Sequence, residues 1–257
     1  MKARPALAAE APVKDVGVSE APDFSVQGLR VLISGGTGGI GMAFARAFVG
    51  AGARATVTDL KPPAEALARG IEFMPLDVRS DAEVAALAAR TDELDVLIHC
   101  AGRLIRWQEY EIETFKDVVD IHLFGAMRLA TAFRPQLKAA KGSIILIGSM
   151  YSFFGAARIP AYAAAKTGIV GLTRSLALGF AEDEIRVNAI APGWIRTEIS
   201  RGGREDPEFN ARLMDRLPTR RWSDPEELAG TAVFLASPAS RLVNGVTIPV
   251  DGGYVAA

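Results

Sequence analysis

The stretch "RVLISGGTGGIG", residues 30–41, decides the fold. Three apolar residues, two of them β-branched, run through Ser34 into a cluster of glycines, and "IGMAFARAFVGAG" then continues at helical spacing. A short apolar run ended by glycine reads as a buried strand, and a 3.6-residue period reads as a helix. Gly35, Gly39 and Gly41 stand as G-x-x-x-G-x-G in the turn between them. Glycines there permit a tight turn and let a phosphate approach the main chain, while the helix start behind them offers free N–H groups and a positive dipole end. Taken alone, the segment also fits a purely structural turn.

Working outward, the alternation repeats. "ARATVTDL", "IEFMPLDV", "LDVLIHCAG", "GSIILIGSM", "IRVNAIAPG" and "GVTIPVDGG" read as strands. Helices are predicted for "DAEVAALAAR", for about 112–133, for about 160–181 and after "SDPEELAG". Apolar strands separated by helices predict an α/β domain, a parallel sheet covered on both faces. The chain has 257 residues, a formal net charge of −1 and a single cysteine, Cys100. That length fits one large α/β domain. The even charge points to no nucleic acid and no anionic membrane, and one thiol fits a reducing, cytoplasmic setting. No apolar run approaches the roughly 18 residues of a membrane span. Residues 1–27 are rich in Ala and Pro without period and read as a flexible tail, leaving 28–257 as the domain.

Asp59 ends the second strand, 18 residues beyond Gly41. An acidic side chain there can accept hydrogen bonds from both hydroxyls of an adenosine ribose and would repel a 2′-phosphate, which favours NAD over NADP. Further along, "YAAAK" puts Tyr162 and Lys166 one helical turn apart, and Ser149 follows a buried strand. Removing hydride from a secondary alcohol requires a base for its hydroxyl proton. A phenol of ordinary pKa, about 10, is a weak candidate near neutrality. A neighbouring ammonium and a cationic cofactor ring would lower that value. Tyr162 is therefore the expected acid/base, Lys166 the group that tunes it, and Ser149 a hydrogen-bond partner for the developing charge.

The glycine loop, Asp59, "CAG" at 100–102, Ser149, "YAAAK", "NAIAPG" at 188–193 and the final "VDGG" occur in the order found in short-chain dehydrogenase/reductases, and residues 28–254 resemble that family's single-domain branch. The resemblance implies a Rossmann-like, doubly wound parallel sheet with helices on both faces. It implies a nicotinamide cofactor held by Gly35, Thr37, Gly38, Gly39, Ile40 and Gly41, by Asp59 and Leu60, and by Asp77 and Val78 beside the adenine. Cys100, Ala101 and Gly102 would lie near the cofactor, as would Pro192, Gly193, Ile195 and Thr197 beside the nicotinamide. Tyr162 and Lys166 would also touch the cofactor, the lysine at its ribose. Homotetramers or homodimers are the family's habit. No metal is expected, since no carboxylate cluster or paired histidine motif surrounds either histidine.

The family usually has asparagine where this chain has His99 and His122. The helical asparagine works mainly through its main-chain carbonyl in a proton relay, so His122 could occupy the position by its backbone, or join the relay by its ring. His99 and Cys100 read as structural. Leu104, Met150, Tyr151, Phe154 and Trp194 are expected to shape the substrate pocket with Ser149 and Tyr162, and Ile105, Trp107 and Phe153 lie in the same variable segments. Arg103, Arg106, Arg158, Arg201 and Arg204 read chiefly as solvated loop cations. One of them could instead pair with a substrate carboxylate or phosphate. Residues 198–217 read as a lid.

The leading expectation is an NAD-dependent oxidoreductase acting on a secondary alcohol or ketone. Two alternatives accompany it: a catalytically silent NAD(H)-binding sensor or scaffold, and an NADPH-dependent 3-oxoacyl thioester reductase.

Overall fold

A computed structural model describes residues 21–257. Its seven strands form one wholly parallel sheet in the order β3-β2-β1-β4-β5-β6-β7. They are β1 (Arg30–Ser34), β2 (Arg54–Asp59), β3 (Ile71–Pro75), β4 (Val96–His99), β5 (Ser143–Ile147), β6 (Arg186–Pro192) and β7 (Thr247–Val250). The helices are α1 (Gly39–Gly50), α2 (Asp81–Ala89), α3 (Ile112–Val119), α4 (Gly125–Ala132), α5 (Arg134–Ala140), α6 (Pro160–Gly179), α7 (Arg201–Arg204), α8 (Pro207–Arg216) and α9 (Ala229–Ala236).

Successive strand side chains point to opposite faces, and both faces are buried here. Leu32, Leu97, Ile144, Leu146 and Val187 meet α2, α4, α5 and α6 through Leu87, Leu129, Leu137 and Ile169. Their neighbours Ile33, Ile98, Ile145 and Ile190 meet α1 and α9 through Phe44, Phe48, Ala232 and Leu235. Continuous apolar strands are the consequence of this double cover.

After β3 the chain returns to place β4 beside β1. The strand order therefore reverses between β1 and β4. In an open α/β sheet that reversal leaves a crevice at the carboxyl ends of the strands.

Three details differ from the sequence expectations. The predicted helix over 112–133 contains a π-turn at Asp120–Phe124 between α3 and α4. Such turns widen a helix locally and often occur at functional positions. The expected lid carries two helices, α7 and α8; Pro207 opens α8 and Asp206 caps it by accepting the Phe209 N–H at 3.0 Å. Residues 1–20 of the expected tail lie outside the described residues. Nearer the domain, Val26 is 1% exposed and the Phe24 ring lies 6.1 Å from that of Phe234. No helix among the described residues is long and apolar enough to cross a membrane.

Candidate active site

The glycine loop is shaped by contacts that a side chain would prevent. Gly35 has φ +66°, and a Cβ there would stand 2.4 Å from the Ala101 nitrogen. A Cβ on Gly41 would stand 2.4 Å from the Gly35 carbonyl oxygen. Gly38 caps α1 without a side-chain hydrogen bond, and no acidic residue occupies the first turn. The N–H groups and positive end of α1 are thus left facing a cavity of about 420 Å³. This uncapped helix start in a small-residue cradle fits the pyrophosphate of a dinucleotide.

Gly35, Gly38, Gly39, Ile40 and Gly41 form one wall of that cavity; Asp59 and Leu60, Asp77 and Val78, and Cys100, Ala101 and Gly102 form others, with Thr197 at its edge. Asp59 accepts hydrogen bonds from the Thr37 hydroxyl at 2.5 Å and from the Leu60 N–H at 2.8 Å. Those bonds fix the carboxylate in the cavity wall. The Asp77 carboxyl is lowered from its ordinary value, first by hydrogen bonds from Arg79. Arg79 and Arg103 also both pair with Asp117, which ties the loop after β4 to α3.

A second cavity, about 490 Å³, adjoins the first across Ile40, Thr197 and Ile199. Leu104, Met150, Tyr151, Phe154 and Trp194 line it, together with Ser149 and Tyr162. Pro192, Gly193 and Ile195, expected beside the nicotinamide, belong to this second wall. Trp107 and Phe153, from the expected substrate segments, point elsewhere: they are 60% and 45% exposed. Ile105 is likewise absent from the wall. Residues that the sequence did not single out complete it, notably Phe209, Trp222 and Tyr254 with Arg212 and Arg216. The Arg216 guanidinium sits 4.5 Å from the centre of the Tyr254 ring, a cation–π contact.

Of the arginines named from sequence, Arg106 and Arg158 line this cavity. Arg201 pairs with Glu198, and Arg204 donates to the Thr197 carbonyl at 3.1 Å.

Ser149 and Tyr162 meet in the wall of the second cavity, and Lys166 lies beside Tyr162. Ser149 opens a short turn, accepting the Tyr151 N–H at 3.2 Å and donating its own N–H to the Ser152 hydroxyl at 3.1 Å. Ser152 in turn donates to the Lys166 carbonyl at 2.6 Å, fastening the serine turn to α6. Lys166 is 5% exposed. Its ammonium donates to the Ile147 carbonyl at 2.6 Å and lies 5.5 Å from the centre of the Tyr162 ring.

Burial governs the protonation of this group, and it acts against the expectation for Tyr162. Loss of solvent pushes the Tyr162 phenol up to about 12, with the Ser149 hydroxyl acting the other way. The same loss of solvent pulls Lys166 down to about 7. Each shift disfavours the charged form in a dry site. Beside the burial of its phenol, the neighbouring lysine does not lower the tyrosine.

The histidines take different places. His99 is 3% exposed, with Nδ1 2.7 Å from the Ser34 hydroxyl and Nε2 3.1 Å from the Ile121 carbonyl. Burial lowers it to about 4, so it is a neutral, satisfied core group. His122 lies in the π-turn with its ring edge-on to Tyr162 at 5.1 Å. Its Nε2 is 2.9 Å from the Arg103 carbonyl, while Nδ1 is buried without a partner. A Cβ on Gly102 would fall 2.1 Å from its Cε1, so glycine at 102 makes room for this imidazole. Cys100 is half-buried, and burial pushes its thiol up to about 12. Among the described residues no group of three or more His, Cys, Asp or Glu could hold a metal ion.

A dinucleotide cradle that opens beside a half-buried tyrosine and a buried lysine defines an oxidoreductase working through a nicotinamide. Residues 35–255 match a family model described as enoyl-(acyl carrier protein) reductase, and the chain belongs to the short-chain dehydrogenase/reductase family. It is similar to the 2-dehydro-3-deoxy-D-gluconate 5-dehydrogenase of Escherichia coli (strain K12), 35% identical over 247 residues that cover 91% of this chain and 98% of the relative. The 5-keto-D-gluconate 5-reductase of the same organism is 34% identical over 249 residues, 91% of this chain and 98% of the relative. Among solved structures, a gluconate 5-dehydrogenase from Burkholderia cenocepacia J2315 in complex with NADP and tartrate superposes with a TM-score of 0.87 at 34% identity, covering 92% of this chain and 98% of that one. The protein is thus an NAD(P)-dependent oxidoreductase that moves hydride between a secondary alcohol or ketone and its cofactor.

Proposed function

We propose that this enzyme interconverts a secondary hydroxyl and a ketone on a small polyhydroxy acid, with NAD preferred. The observation that carries the reading is Tyr162, which lies with Ser149 in the wall of the second cavity beside the dinucleotide cradle. When bound, the nicotinamide supplies the hydride acceptor or donor. Ser149 holds the substrate oxygen. Tyr162 takes the hydroxyl proton in oxidation and returns it in reduction. Lys166 binds the ribose and, once charged, favours the phenolate. His122 serves through its backbone, its ring being committed to Arg103.

The substrate class is supported by the wall's chemistry as well as by the relatives. Arg106 and Arg216 both line the cavity that holds Tyr151, and guanidinium groups suit a carboxylate. The preference for NAD rests on Asp59, fixed at the ribose end. The NADP in the solved relative opposes it, and Arg46 and Lys61 border a neighbouring cavity with Asp59. Partners and setting follow the same reading: a homo-oligomer of the cytoplasm, with Phe124 and Met127 among its exposed apolar side chains. The test is a panel of sugar acids, polyols and simple secondary alcohols, with NAD and NADP in parallel, read by nicotinamide absorbance. Sugar acids turning over with NAD, and loss of that turnover in Tyr162→Phe, would support the proposal; turnover retained by that variant would remove it.

A further inference from the structure

We propose that Glu109 is a positioning residue for the reaction, a buried carboxylate that locks the acid/base tyrosine to the substrate loop. This rests on Tyr162 being the acid/base. Glu109 is 0% exposed, although acidic residues are almost never fully buried unless paired. Its partners here are backbone groups of two separate elements. One oxygen accepts the Tyr162 N–H at 2.9 Å and the other accepts the Ile105 N–H at 2.9 Å.

The geometry accounts for an anomaly at the start of α6. Its N-cap residue, Ile159, offers no side-chain hydrogen bond, and Pro160 follows. Tyr162 is the third residue of that helix, one whose N–H lacks an intrahelical partner. Glu109 caps it from the 3-10 turn Gln108–Tyr110, placing a negative group at the positive end of the helix. Two further bonds fasten the same segments. The Trp107 N–H donates to the Arg158 carbonyl at 2.8 Å, and the Tyr110 hydroxyl donates to the Ala157 carbonyl at 2.8 Å. Trp107 has φ +68°, in the left-handed region that costs a non-glycine residue, so the loop is held in a shape it would not take alone. Leu104 and Arg106, in the wall of the second cavity, flank the residue that Glu109 grips.

The carboxylate also bears on proton transfer. The polar and charged groups facing Tyr162 are Glu109 from the 3-10 turn, Lys166 on α6, His122 from the π-turn, and Ser149 and Tyr151 from the turn after β5. Glu109 is the acidic one, and its charge opposes phenolate formation. Positioning and a bias toward the protonated donor thus come from one side chain.

Two variants and one titration test this. Glu109→Gln removes the charge at nearly constant volume; Glu109→Asp keeps the charge but shortens the reach. The Tyr162 ionisation is followed by NMR of carbon-labelled tyrosine, assigned with Tyr162→Phe, and needs no substrate. In Glu109→Gln the onset of ionisation should move to lower pH by about half a unit. In Glu109→Asp it should stay near the wild-type value while the Tyr162 and Ile105 amides exchange faster together. With the best alcohol of the panel, both variants should lose about tenfold or more in kcat. A wild-type onset in Glu109→Gln, or unchanged exchange at the two amides in Glu109→Asp, overturns the proposal, and the aspartate variant decides alone if the glutamine variant does not fold. Turnover surviving in Tyr162→Phe would instead overturn the reading of Tyr162 itself.

Discussion

The two adjoining cavities are walled by different parts of the chain. The first is largely backbone: glycines, an uncapped helix start and strand ends, with the held carboxylates of Asp59 and Asp77. The second is made of side chains, aromatic rings and guanidinium groups brought from the loops after β4, β5 and β6 and from α8. The first is specified by what cannot be there, since a single Cβ at Gly35 or Gly41 collides with main chain. The second is specified by what is there, and its residues can change without disturbing the sheet. A domain built this way keeps one cofactor and exchanges substrates.

The largest effect should come from breaking the backbone wall. Gly35→Ala puts a Cβ against Ala101 at a positive φ, which should cost about 3 kcal/mol or more and abolish nucleotide binding. Thermal unfolding and NADH fluorescence titration check it. Beside Tyr162, Lys166→Met should abolish turnover and raise stability. The folded amine, pulled down to about 7, binds fewer protons between pH 7 and its unfolded value than the unfolded chain does. Its cost is therefore full below about pH 7 and fades as pH rises toward the unfolded value. The gain should be about 2 kcal/mol near neutrality and disappear in alkali, as thermal melts across pH would show.

In the side-chain wall, Arg216→Leu removes the charge and with it the cation–π contacts to Tyr254 and Phe154. KM for a sugar acid should rise about tenfold, with little change for an uncharged polyol. An equal rise for both would mean that Arg216 shapes the pocket without binding a carboxylate. Asp59→Asn should move the NAD-to-NADP preference toward NADP by about tenfold, measured as a ratio of kcat/KM.

The same contrast governs what could be read from sequence. The strands, their parallel double cover and the glycine loop were legible because apolar periodicity and steric exclusion leave residue patterns. Tyr162, Lys166 and Ser149 were legible because their spacing maps onto a helix and a strand end. Glu109 was not: "WQEYE" holds two acids, and nothing local says that the first is buried and the second is not. Tyr254 and Arg216 meet in one wall only after folding, 38 residues apart in the chain. The π-turn was missed because "DIHLF" satisfies an ordinary helical period. The burial that raises Tyr162 and lowers Lys166 was not legible, because adjacency to a lysine is visible in sequence and burial is not.

His122 belongs to neither wall and should give the smallest effect. Its ring is neutral, lowered well below the ordinary histidine value chiefly by burial. One nitrogen reaches the Arg103 backbone and the other is orphaned. His122→Asn would exchange that orphan for an amide with more hydrogen-bonding capacity, in a space that Gly102 leaves open. If His122 acts through its backbone, kcat should change less than about threefold and its pH profile should keep its midpoints. The loss of edge-on packing against Tyr162 should cost about 1 kcal/mol. A larger fall in kcat, with a solvent isotope effect altered in the variant, would instead place the imidazole in the path of the proton. The π-turn would then be there to bring the ring, rather than a carbonyl, to the site.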